Sequence, residues 1–129
     1  MKVEIFTFCD AAADYGERFS IMGAYDRLFS PTAPCVIERA AIVVRIRFQQ
    51  SEQGTHHVTV VLIDEDGKVL GKFIDDHIPV AVPPRPNALR IGFVVNINNL
   101  MLPKLGEYRA DLVVDGHQIG QIPLYLDKR

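Results

Sequence analysis

Tryptophan is absent from this 129-residue chain, and cysteine occurs twice, at Cys9 and Cys35. Two cysteines allow at most one bridge. A domain of this size does not need a bridge to hold its core, so both thiols are expected free and buried. Long apolar runs are missing too. The run from Ile5 to Cys9 contains Thr7 and lies between Glu4 and Asp10, which is short of the roughly seven to fifteen apolar residues of a secretory segment. No stretch approaches the ~18 apolar residues of a membrane helix. The expectation is a protein that is neither exported nor membrane-bound, placed in the cytoplasm. Nor does one sign of charge dominate. Fourteen Lys and Arg stand against sixteen Asp and Glu, a formal net charge of -2. That balance is no electrostatic footprint for nucleic acid or anionic lipid.

What is present is a core. Hydrophobic residues make up 48% of the chain and charged residues 23%, which excludes a disordered class and predicts one folded domain over residues 1–129. The dominant period is two, with turn residues at regular intervals, and no segment reads as a helix. Val3 to Cys9 is β-rich. A polar loop through Asp14, Tyr15, Gly16 and Glu17 leads to a second strand from Phe19 to about Phe29, with Gly23 marking a bulge or bend. After Pro31 and Pro34, Val36 to about Gln49 alternates: Ile42, Val44, Ile46 and Phe48 face a core while Arg45, Arg47 and Gln49 face water. His57 to Ile63 is apolar on both faces, as in a central or covered strand.

Asp64-Glu65-Asp66-Gly67 reads as a hairpin turn, and Lys68 to Ile74 returns. Pro79, Pro83, Pro84 and Pro86 form a connection expected to cross between sheets, because proline cannot donate to a ladder. The next strand points Leu89, Ile91, Phe93, Val95 and Ile97 inward and Arg90, Gly92, Asn96 and Asn98 outward. Asp115-Gly116 then joins a final hairpin. About eight strands at this spacing predict an all-β, two-sheet antiparallel sandwich.

Lys104-Leu105-Gly106-Glu107-Tyr108-Arg109-Ala110 resembles the corner that opens strand F of immunoglobulin-type domains. That resemblance implies a Tyr108 hydroxyl bonded to upstream backbone. Ala110 stands where the second cysteine would be, so the disulfide-pinned version is excluded. The chain as a whole resembles an uncharacterised bacterial family of small β-sandwich domains. The matching stretches are Cys9-Asp10-Ala11, Phe19 to Tyr25, Gly106-Glu107-Tyr108 and Val114-Asp115-Gly116. The resemblance implies the fold and a cytoplasmic bacterial origin, and it carries no activity or catalytic residue.

No nucleophile with a base, no carboxylate pair and no metal motif is legible. His56 and His57 are adjacent, so on a strand they point to opposite faces and cannot share an ion. Asp75 and His77 share a face but supply only two ligands, and the end of a solvated strand explains them. Asp10, Asp14, Asp64, Asp66 and Asp115 could contribute to a calcium cup at loop ends, where ordinary turn chemistry also favours Asp. Arg45, Arg47, Arg90 and Arg109 fall on one outer face if their strands are neighbours. They would then form a docking surface for an acidic partner, with cross-strand charge pairing as the plainer account.

The expected function is a non-enzymatic binding or assembly module without a cofactor, serving a protein partner or a second copy of the chain in a homodimer. The alternative is a calcium-dependent or other small-ligand-binding domain, or an enzyme using the acidic loop ends and His77. Convergence of those aspartates in space separates the two.

Overall fold

The computed structural model describes residues 1–16 and 18–129. Glu17, expected in the loop after the first strand, lies outside the described residues. The chain is all-β among the described residues, apart from one turn of 3-10 helix at Gln50–Glu52. Nine strands form: β1 Lys2–Asp14, β2 Phe19–Tyr25, β3 Arg27–Ser30, β4 Cys35–Gln49, β5 Gly54–Ile63, β6 Val69–Val80, β7 Ala88–Leu102, β8 Gly106–Val114 and β9 His117–Lys128. One sheet has the order β2-β1-β4-β7 and the other β3-β9-β8-β5-β6.

Both sheets feed a common core. Val44, Ile46 and Phe48 of β4 and Val60, Leu62 and Leu112 of β5 and β8 are wholly buried in one cluster. Each such side chain contributes about 1.5–3 kcal/mol by leaving water. The three β4 residues are ones whose alternation predicts a buried face.

Four expectations change. The segment expected as one strand from Phe19 to Phe29 breaks at Asp26, and its halves join different sheets. That break adds the ninth strand, and its second half, β3, pairs with β9 in parallel. Pro79 lies within β6, where a missing donor is tolerated because β6 is an edge strand. Of the proline-rich connection expected to cross between sheets, only the part after Val80 does so. Cys9 is buried and free, whereas Cys35 is free but only partly buried, near the end of the β4–β7 ladder.

The turns follow their chemistry. Asp115 and Gly116 both take left-handed φ, 52° and 81°, the pattern of a type I′ hairpin. Asp64 accepts the backbone N–H groups of Asp66 and Lys68, each at 2.9 Å. The Tyr108 hydroxyl donates to the carbonyl of Lys104 at 2.6 Å and accepts its N–H at 3.1 Å, as the corner implied.

Candidate functional site

β1 outruns its partner. Its last pair with β4 is Cys9 with Ala41, and from there to Asp14 it pairs with β2 alone. Ala12, Phe19 and Ile21 of this hairpin pack with Cys9, Ala41, Val43 and Val94 in a second apolar cluster on the outer face of the four-stranded sheet. The face of β4 expected to be wet is therefore dry at Ala41 and Val43 and polar at Arg45 and Arg47. Phe19 lies over Gly92 of β7 so closely that a Cβ there would collide with the ring.

Beyond the hairpin tip the same face opens into a cleft of about 440 Å³. Arg45, Arg47, Arg90 and Gly92 floor it, Asp14 and Phe19 come from the hairpin, and Pro83 and Pro86 come from the crossing segment. Register explains the floor. Arg47 of β4 is directly opposite Arg90 of β7 on one side and Lys2 of β1 on the other. Three like charges thus form one cross-strand row, and like charges directly opposite each other cost stability. The plainer account, opposite charges pairing across strands, holds for Arg45 and Arg90, which share Glu4, and among the described residues leaves Lys2 and Arg47 of this row without an acidic partner.

The counter-charge comes from a bulge. Pairing of β1 with β4 shifts between Val3 and Ile5, leaving Glu4 as the extra residue. Its Oε1 accepts from Arg45 Nε at 3.1 Å and from Arg90 Nε at 3.2 Å. One carboxylate therefore holds two guanidinium groups by their inner nitrogens. The planar outer nitrogens are the part of arginine suited to carboxylate and phosphate.

Arg109 does not belong to this face. It lies on β8 in the other sheet and pairs with Asp111 at 3.3 Å. Period-two reading finds outward arginines but cannot assign strands to sheets. Glu4 and Phe19 were missed as cleft residues. Gly92, set in a strand of β-branched and aromatic residues, is the one signal of a close approach.

The five aspartates occupy four separate places. Asp10 sits against Gly23, and Asp14 lines the arginine cleft. Asp64 and Asp66 share the β5–β6 turn, where Lys104 Nζ lies 3.2 Å from Asp66. Asp115 occupies the β8–β9 turn and contacts His56 Nδ1 at 2.5 Å. The carbonyl of Glu52 and then the Asp115 carboxylate raise the His56 pKa. Asp115 is lowered by His56 and by the His57 N–H. Register also places His57 opposite His77, their rings stacked at 4.4 Å, with Asp75 at 2.5 Å from His57 Nε2. Among the described residues, no three His, Cys, Asp or Glu side chains are grouped so as to hold a metal ion. No helix there is long and apolar enough to cross a membrane.

Fold and site together define a small all-β domain with a cationic cleft on the outer face of one sheet. The chain belongs to the Family of unknown function (DUF6941), whose model matches residues 4–127. No curated protein sequence matches it significantly. Among solved structures it is similar to the alkylpurine DNA glycosylase AlkC of Pseudomonas fluorescens, bound to DNA containing an abasic site analog. There the TM-score is 0.55 at 10% identity, over 98% of this chain and 30% of that one. It is also similar to a β-glucosidase from Listeria innocua in complex with isofagomine, with a TM-score of 0.51 at 9% identity, over 95% of this chain and 16% of that one. The chain thus spans under a third of either protein, and at such identity the likeness is one of fold.

Proposed function

We propose that this protein is a non-enzymatic binding module that takes an acidic segment of a protein partner in the cleft floored by Arg45, Arg47 and Arg90. The observation that carries this reading is the row of Lys2, Arg47 and Arg90 across three strands. Glu4 offsets this row at Arg90 but, among the described residues, not at Lys2 and Arg47, so a bound anion would relieve the remaining like-charge repulsion. The Glu4 clamp supports it by fixing two of the guanidinium groups in place.

The scaffold is an immunoglobulin-like sandwich in this reading, supported by the Tyr108 corner and by a core drawn from both sheets. Two free thiols favour the cytoplasm as its place of work.

Hexaglutamate is a suitable probe. Titrated into the protein at low salt, it is expected to bind, to weaken steeply as salt rises, and to lose at least about tenfold in affinity in the Arg47→Glu, Arg90→Glu double variant. Equal binding of hexaglutamate and hexalysine overturns the reading. Native mass spectrometry with and without calcium tests the competing function, for which a stoichiometric calcium adduct is the decisive result.

A further inference from the structure

β7, which contributes Arg90 and Gly92 to the cleft, forms an edge of its sheet. β7 pairs with β4 from Ala88 to Leu102, and its other side takes no strand. Among the described residues, no backbone bond outside the strand ladders involves positions 88–102. This edge is also undefended. Its 15 residues include one charged side chain, Arg90, and neither proline nor lysine. Exposed edges are ordinarily blunted by such residues, and β6, an edge of the other sheet, carries Lys72, Asp75, Asp76 and Pro79.

The two faces of β7 differ. Arg90 and Gly92 turn to the cleft, because they pair with Arg47 and Arg45. Ile91, Phe93 and Val95 turn to the core yet stay only partly buried, as befits a strand with no neighbour beyond it. A strand laid on this edge at about 4.8 Å would send alternate side chains to these two surfaces. One set would meet guanidinium groups and the other set would meet apolar side chains.

We infer that the partner segment binds as an added β-strand on the free edge of β7, with carboxylates at every second residue over Arg47 and Arg90 and apolar side chains between them against Ile91, Phe93 and Val95. This rests on the reading of the cleft as a site for an acidic partner, and it adds the conformation and residue pattern of that partner. Backbone bonds along the edge supply affinity and the alternating pockets supply specificity.

The test uses a capped eight-residue peptide alternating glutamate and valine, and two analogues N-methylated at one or the other alternate set of backbone amides. In a strand one set faces the edge and the other faces away. The parent peptide and one analogue are expected to bind alike, and the second analogue at least about tenfold more weakly. Hydrogen exchange should show new protection of amides between Ala88 and Val95 on binding. Equal affinity of both analogues without that protection overturns strand addition and leaves the cleft reading intact. Failure of all the acidic peptides to bind overturns both. A free protein of dimer mass whose β7 amides are already protected overturns the inference in favour of a second copy on the edge.

Discussion

The ring of Phe19 lies over Gly92 although their strands, β2 and β7, are the opposite edges of one four-stranded sheet. Two strands stand between them in the ladder, so the contact exists only because the β1–β2 hairpin lies back across the outer face. It seals the apolar half of that face and leaves the arginine half as an open cleft. The same contact fixes one wall of the site.

A methyl group at position 92 therefore meets the ring. Gly92→Ala is expected to destabilise the protein by about 1–3 kcal/mol, the usual cost of overpacking. Adding Phe19→Leu to that variant should recover part of the loss. Urea unfolding of the single and double variants gives the coupling, and strictly additive effects would show that the two positions do not touch.

Glu4 has two roles of opposite sign. Glu4→Gln removes the carboxylate that holds the part-buried Arg45 and the exposed Arg90, and should cost about 0.5–1 kcal/mol in stability. The same change leaves the cleft more positive, so hexaglutamate should bind more tightly to the variant. Calorimetric titration beside thermal unfolding checks both signs, and weaker binding would mean that Glu4 positions the arginines more than it neutralises them.

Tyr108 is 2% exposed, and its hydroxyl both donates to and accepts from the backbone of Lys104. Tyr108→Phe leaves those groups without the hydroxyl, a loss expected at about 1–3 kcal/mol. Guanidinium denaturation measures it. Peptide binding in the cleft should be unchanged, because the corner lies on the other sheet.

The His56–Asp115 contact makes stability depend on pH in two directions. His56 is raised when folded, so its contribution is full below the ordinary histidine value of about 6.5 and fades as pH rises through the folded value. Asp115 is lowered, so its contribution is present above about 3.9 and fades as pH falls through the folded value. The stability difference between wild type and Asp115→Asn should therefore peak between about pH 4 and 6.5 and shrink on both sides. Unfolding free energies measured from pH 3 to 8 test this, and a flat difference would remove the contact as its source.

Much of the strand content was legible because alternation is local. Ile42, Val44, Ile46 and Phe48 announce a buried face by spacing alone, and Asp115-Gly116 and Asp64 to Gly67 announce their turns through backbone preferences any short peptide shares. The corner at Tyr108 was legible for the same reason. Its hydrogen bonds join residues only four apart.

The sequence by itself determined the all-β class, most strand faces, the turns and the outward direction of four arginines, since each depends on side chains within a few residues of one another. Only the tertiary structure decided which of those arginines meet. Arg47 and Arg90 are 43 positions apart and become neighbours through the β4–β7 register, while Arg109 is carried to the other sheet. The break at Asp26, the fold-back of Phe19 onto Gly92 and the bulge at Glu4 are likewise settled by which strands find each other. Strand pairing between distant segments is chosen by packing of the whole core, which no local pattern records.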